Sequence, residues 1–196
     1  MDTQIDRRFK RAWDFFTTNA ASLVLGSLIV CLGFALVIPG PWVAINLLGE
    51  IHDALDQKRP LNWKTTYERT STFLPAWGLA SVMTIGVAIG LMMCVVPGVL
   101  LAIAWFHAAT YVARGQPVFQ ALADSYHQLH RPDDYVATLL NSLIIVACAL
   151  ASSFSAVLTV IAMPVAMAYL ALCTLESTTV TPPSAAVTTV TLDATA

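Results

Sequence analysis

Long apolar stretches alternate along the chain with short polar segments, and the polar segments carry every basic residue. The ten Lys and Arg residues fall within 7–11, 58–69 and 114–131, and the apolar stretches between these segments contain none. This alternation is typical of a chain that crosses a bilayer repeatedly with its basic connections on one face. The pattern predicts an all-α fold, a polytopic membrane helix bundle.

The apolar stretches predict six membrane helices, arranged as three hairpins. Their expected ranges are 20–38, 42–54, 73–96, 98–113, 135–152 and 155–175. Proline interrupts a hydrogen-bonded helix and glycine permits a tight turn. The hairpin turns are therefore expected at Pro39 with Gly40, at Pro97 with Gly98, and at Pro164. A single unbroken helix through the first tip would be about 50 Å long, far more than a hydrocarbon core of about 30 Å.

Each hairpin is preceded by a polar stretch that is expected to form an amphipathic helix in the membrane interface. In the first stretch, one helical face carries Ile5, Phe9, Ala12, Trp13 and Phe16, and charged residues occupy the opposite face. Its predicted inner-leaflet contacts are Arg7, Arg8, Lys10, Arg11 and Trp13. The unit repeats over about 1–57, 58–115 and 116–176, forming one membrane domain, and 177–196 is predicted to be a disordered Ser- and Thr-rich tail.

The one-sided distribution of basic residues also predicts orientation and partners. Cytoplasmic loops of membrane proteins are enriched in Lys and Arg, so both termini are expected in the cytoplasm and the hairpin tips outside. The expected partners are the lipid bilayer and its anionic inner-leaflet lipids, and a homo-oligomer or other membrane proteins remain open.

Composition supports the membrane interpretation and excludes several other classes. With 57% hydrophobic and 11% charged residues, the chain is far from the composition of a soluble domain. The net charge of −2 gives no electrostatic reason to expect a nucleic-acid partner. The cysteines stand singly inside apolar runs, without the spacing of a disulfide framework or a zinc site. No cofactor or metal is predicted.

Glu50 is the costly residue of the predicted second helix. The apolar run from Trp42 reaches only Gly49, about 12 Å of helix, so Glu50 lies either inside the bilayer or at its cytoplasmic interface. In the first case Asn46, Glu50 and Asn141 would form a polar intramembrane site, with Asn46 hydrogen-bonded to Glu50 one turn away. In the second case Glu50 is solvated. This second case is favoured because the polar residues 57–59, which are expected to lie in water, follow closely.

Other motifs point to packing rather than chemistry. His127 and His130 lie three residues apart but have no third ligand fixed by spacing, so a solvated helix face is expected. Gly86 and Gly90 form one G-x-x-x-G, which is expected to serve packing within the bundle. No phosphate-binding loop, H-E-x-x-H or nucleophile elbow occurs, so the chain is not predicted to be an enzyme.

One stretch resembles a known family. Pro97-Gly98, the helix through Trp105 and the Ala-Leu-x-x-Ser sequence of 121–125 are similar to the YciC-like bacterial integral membrane proteins, which are related to the membrane domain of some glycerophosphodiester phosphodiesterases. The resemblance covers most of residues 1–176. It implies a six-helix fold in the bacterial inner membrane and supplies no catalytic residues. The missing glycine after Pro164 departs from the repeat.

Two classes of function follow. The favoured one is a non-enzymatic inner-membrane protein with a membrane-organising, lipid-interacting or accessory role. The alternative is a small-solute or ion transporter or channel that uses the intramembrane polar residues Asn46, Glu50, Thr84 and Asn141.

Overall fold

The computed structural model describes residues 4–93, 95–129 and 156–180, together with positions 140 and 143. Every regular element in these ranges is a helix, which confirms the all-α fold class. The α-helices are α1 (Gln4–Thr18), α2 (Ala20–Ala35), α3 (Gly40–Gln57), α4 (Phe73–Met93), α5 (Val95–Ala104), α6 (Ala108–Ala113), α7 (Val118–Leu129) and α8 (Ala156–Val180).

Asn19 marks a sharp bend between α1 and α2, whose axes differ by 91°. The Asn19 amide donates to the Phe15 carbonyl at 3.1 Å, and its Oδ1 accepts the Leu61 N–H at 3.0 Å. One polar side chain therefore closes the end of α1 and fixes the bend to a distant segment. The bend allows α1 to lie along a surface while α2 runs in a different direction.

The first hairpin turns between Ala35 and Gly40, where proline and glycine were expected to reverse the chain. Gly33 and Gly40 bring α2 and α3 close together, since a Cβ built on Gly33 would lie 3.3 Å from the Gly40 Cα. Val37 adopts a left-handed conformation, with φ of 64°.

In the second hairpin, α4 ends at Met93 and α5 begins at Val95, so the expected turn residues Pro97 and Gly98 lie in the first turn of α5. Proline is tolerated in the first turn of a helix because its missing N–H would have no partner there. Gly98 faces Gly90 across the hairpin, where an added Cβ on Gly90 would come within 2.8 Å of the Gly98 Cα. Gly90 therefore serves contact within the chain, as was expected for the G-x-x-x-G pair.

Three predicted elements differ in the structure. The expected helix over 98–113 breaks between Ala104 and Ala108, giving α5 and α6. The second surface stretch forms two short 3₁₀ turns, Trp63–Tyr67 and Thr70–Thr72, instead of an amphipathic helix.

The expected turn at Pro164 is also wrong, because Pro164 lies inside α8. A membrane or core helix can absorb a proline when neighbouring groups satisfy the freed carbonyl, so proline alone did not define a turn. Helix α8 also continues through Val180, into the segment predicted as a tail. The predicted helix over 135–152, apart from positions 140 and 143, which are helical, and the rest of the tail lie outside the described residues.

Helix α3 is the centre of the structure. It is enclosed by α2, α4, α6, α8 and the connection of residues 58–72, hereafter the linker. Between Val43 and Ala54 almost every side chain is buried, including Ile45, Leu47, Leu48 and Ile51. Helix α8 packs against it, and Ala168, Tyr169 and Leu172 of α8 are buried in the core.

By length and composition, one helical segment of the described chain is able to cross a membrane, Thr70–Met93. Helices α1 and α2 would give a second if the bent pair were one broken span, and Pro97–Ala113 and Ile161–Glu176 are apolar but shorter. The number of six spans stays a prediction.

Candidate functional site: a buried ion-pair network on the central helix

Glu50 lies at the centre of a buried polar network and is 0% exposed. Arg59 donates to both of its carboxylate oxygens, with Nη1 at 2.5 Å from Oε1 and Nη2 at 3.0 Å from Oε2. The Asn62 N–H adds a third hydrogen bond, at 3.1 Å to Oε1. The prediction that Glu50 is solvated is therefore wrong. The linker is polar in composition. It folds back over Glu50, and its Arg59 supplies the counterion.

A second ion pair extends the network toward the end of α3. Arg69 donates through Nη2 to Asp53 Oδ2 at 2.5 Å, and the same nitrogen lies 4.0 Å from Glu50 Oε2. Two acids of α3 thus face two arginines of the linker. Pairing of this kind lowers the cost of burying a carboxylate, which is high when the group is alone. The carboxylate of Glu50 in turn raises the pKa of Arg59.

Asn46 forms the other end of the network. Its amide nitrogen donates to the carbonyls of Thr66 at 2.8 Å and Arg69 at 3.1 Å, and its Oδ1 accepts from the Thr72 hydroxyl. The hydrogen bond expected between Asn46 and Glu50 is absent from these contacts, because both side chains turn to the linker. Asn141, the third member of the predicted polar site, lies outside the described residues.

The chain reverses abruptly after α3, which explains why the linker lies along this helix. Lys58 ends α3 in a left-handed conformation with φ of 51°, and its N–H caps the Ala54 carbonyl. The Arg59 N–H donates to the same carbonyl at 3.1 Å. From there the linker runs back toward the start of α3, where the Trp42 ring N–H donates to the Arg69 carbonyl at 2.7 Å.

Most polar atoms of the network have partners among the described residues. Arg59 donates to both Glu50 oxygens, and the Asn46 amide is hydrogen-bonded through both its nitrogen and its oxygen. These contacts fasten a polar linker to an otherwise apolar helix.

The basic residues of α1 divide into two groups. Arg8 donates to Glu176 of α8 at 2.5 Å, with only 12% of its side chain exposed, and Arg11 donates to the other oxygen at 2.9 Å. Burial lowers the pKa of Arg8, but the hydrogen bond and charge of Glu176 outweigh it, so the pKa is raised. Arg7 and Lys10 are exposed. Arg8 is therefore mostly covered by its contact with α8, whereas its predicted contact with the inner leaflet stays a prediction.

The apolar face predicted for α1 is split in the same way. Ala12 and Phe16 are buried against the bundle, whereas Phe9 and Trp13 are about half exposed. Exposed aromatic rings beside exposed cations are what an interfacial helix presents to lipid. The structure therefore leaves Arg7, Lys10 and Trp13 available for the predicted contact.

A different surface carries the exposed apolar side chains. The tip of the first hairpin presents Leu36, Val37 and Ile38, each more than 60% exposed, and the tip of the second presents Met92 and Met93, at 88% and 80%. The outer faces of the helices that lead to these tips add Leu25, Leu28, Leu32, Ile85 and Ile89.

Sequence reasoning found Glu50 and Asn46 but missed the residues that bind them, Arg59, Asn62, Arg69 and Thr72. The available signal was the expected need of a buried acid for a partner, combined with two arginines in the next segment. Glu176 was also missed. His127 is exposed, His130 lies outside the described residues, and no cluster of metal-binding side chains occurs among the residues searched.

No family model matches the sequence, and no curated protein or solved structure matches it.

Proposed function

We propose that the protein is a non-enzymatic membrane protein that binds and organises lipid, with the hairpin tips in the bilayer and α1 on its surface. The observation that carries this proposal is the helical segment Thr70–Met93, which is long enough to span a bilayer and is left almost unburied by the rest of the chain. Such an apolar surface is rare on a soluble monomer. Lipid satisfies it without a second protein.

The distribution of charge supports the same proposal. The charged side chains of α1, α3 and the linker either pair within the protein or lie exposed on those elements, and the hairpin tips carry none. We therefore propose the orientation expected from the sequence, in which the basic segments and both termini are cytoplasmic. Multi-pass insertion in a bacterial inner membrane and membership of the YciC-like family belong to this proposal.

The buried network weighs against the transporter alternative. Glu50 and Asn46 are two of the four polar residues that suggested a conduction path, and both are hydrogen-bonded to the linker. Fixed partners within the protein leave these two side chains less available to a transported solute. We place the transporter second.

Membrane extraction tests the proposal directly. The full chain, expressed in bacteria, should remain in the membrane fraction after alkaline carbonate and should float with vesicles after reconstitution. Vesicles that contain anionic lipid should bind a detergent-free α1 peptide more strongly than neutral vesicles, and salt should reduce the difference. Release of the full chain by carbonate would refute membrane insertion. A substrate-dependent flux through reconstituted vesicles, lost in a Glu50→Gln variant that is folded, would instead move the transporter to first place.

A further inference from the structure

The tip of the first hairpin is built to exclude water from its own backbone. The N–H groups of Leu36 and Val37 donate to carbonyls of the last turn of α2, and that of Ile38 donates to the Leu36 carbonyl, at 2.8–3.0 Å. Pro39 and Pro41 have no N–H to satisfy. The Ile38 carbonyl accepts from the Trp77 ring N–H at 2.8 Å. Irregular backbone can enter hydrocarbon only when its polar groups are satisfied by protein, and this turn meets much of that requirement.

The linker sets an upper limit on how deep this tip can go. It is fastened alongside α3 at three heights, through Asn62 to Glu50, through Thr66 to Asn46, and through Arg69 to Trp42. Lys64 and Glu68 lie between these anchors and are exposed. An exposed charge cannot face hydrocarbon without a cost of several kcal/mol. The section of α3 beside the linker must therefore lie at or outside the membrane interface.

The depth of the tip follows from helix geometry. Ile38 lies about 6 Å beyond Trp42, the last anchor of the linker, at about 1.5 Å per residue, whereas the hydrocarbon core is about 30 Å thick. With the level of Trp42 at the interface, the tip reaches less than halfway into one leaflet. It falls short of the opposite headgroups by most of the thickness of the core.

We infer that the first hairpin is re-entrant: it enters one leaflet from the side of the linker, turns at Leu36–Pro39 within that leaflet, and returns to the same side. This inference rests on the proposed function, since it presumes insertion into a membrane. It replaces the first pair of predicted spans with a wedge that displaces the acyl chains of one leaflet. The ligand of this surface is the acyl-chain region of phospholipid. The polar linker limits how deeply the hairpin inserts.

The test measures the depth of the tip in the full-length protein. Ile38→Cys, in a background without the native cysteines, is labelled with an environment-sensitive fluorophore and reconstituted into vesicles whose lipids carry nitroxides at different depths. We expect the strongest quenching from nitroxides near the headgroup end of the acyl chains. An impermeant thiol reagent should leave this cysteine unmodified in intact and in opened cells.

Two further cysteines make the outcomes distinguishable. Gln57→Cys, at the exposed end of α3, should react only on the linker side, and Met93→Cys marks the tip of the second hairpin. Quenching of position 38 by headgroup nitroxides, with reaction on the side opposite position 57, would overturn the re-entrant hairpin but keep the proposed function. Free reaction of positions 38, 57 and 93 on one side, with no quenching by any lipid nitroxide, would overturn the proposed function itself.

Discussion

Replacing Glu50 is the most direct probe of the network, because one side chain holds the linker to the central helix. Glu50→Ala removes the acceptor of two Arg59 hydrogen bonds and of the Asn62 N–H. Three donors then lose their partner at a site that is 0% exposed at Glu50. The sequence alone had favoured a solvated Glu50 that tolerates substitution. Because the structure buries Glu50 under the linker, we expect its substitution to be costly instead.

The size of the effect follows from the burial of each partner. Breaking a buried ion pair by removing one member costs about 3–5 kcal/mol. Arg59 retains 33% side-chain exposure, so water can partly solvate it after the change, and we expect the lower end, about 3 kcal/mol. For a chain of this size, that corresponds to a fall in melting temperature of roughly 6–12 °C. Glu50→Lys should be worse, since it places a third cation beside Arg59 and Arg69.

The measurement is thermal unfolding of the purified variants in detergent, followed by circular dichroism. Glu68→Ala is the matched control, because Glu68 is an exposed acid of the linker and should change stability by no more than about 0.5 kcal/mol. Glu50→Leu combined with Arg59→Leu should recover much of the loss, since an apolar pair often replaces a buried ion pair without cost. A Glu50→Ala protein as stable as the Glu68→Ala control would refute the reasoning.

Three further substitutions test separate parts of the fold by the same unfolding measurement. Arg8→Gln should cost about 1–3 kcal/mol because it breaks the pair with Glu176, whereas its exposed neighbour Arg7→Gln should be nearly neutral, and equal effects would contradict the different roles of the two arginines. Lys58→Gly should stabilise by about 0.5–1 kcal/mol because glycine accepts the left-handed cap, while Gln57→Gly, inside α3, should destabilise. His107→Leu should stabilise by about 1–3 kcal/mol, since both ring nitrogens are buried without a hydrogen-bond partner in the described structure, and a loss of stability would show that the imidazole has a partner after all.

The apolar pattern of the sequence predicted where helices form but not which of them are enclosed. The starts of α2 and α4 lie where the hydrophobic stretches begin, and the first turn, between Ala35 and Gly40, includes the expected Pro39. These features are local, because they depend on the side chains of one segment and on the backbone limits of proline and glycine. The position of α3 at the centre depends on packing by four other helices and a linker. The pattern of apolar residues along α3 does not indicate which segments pack around it.

The same distinction explains the errors at charged residues. A single acid in an apolar run has two low-energy solutions, exposure to water or a buried partner. The short distance from Glu50 to the aqueous residues 57–59 favoured exposure, and only the reversal at Lys58 brings Arg59 back to Glu50. Likewise, Arg8 was grouped with Arg7 by its place in α1. Its burial depends on Glu176, which is 168 residues away in the chain.

The short apolar run of α3 and the charge of the linker have one common explanation. A helix that faces lipid must stay apolar through the whole hydrocarbon thickness, about 20 residues. Helix α3 is instead covered by protein. It can therefore carry Asn46, Glu50 and Asp53 as long as each is hydrogen-bonded or ion-paired. The linker supplies those partners and presents its own Lys64 and Glu68 outward. Because the linker is both the counterion and the polar surface of the first hairpin, weakening its attachment at Glu50 should also let this hairpin move to a different depth in the bilayer.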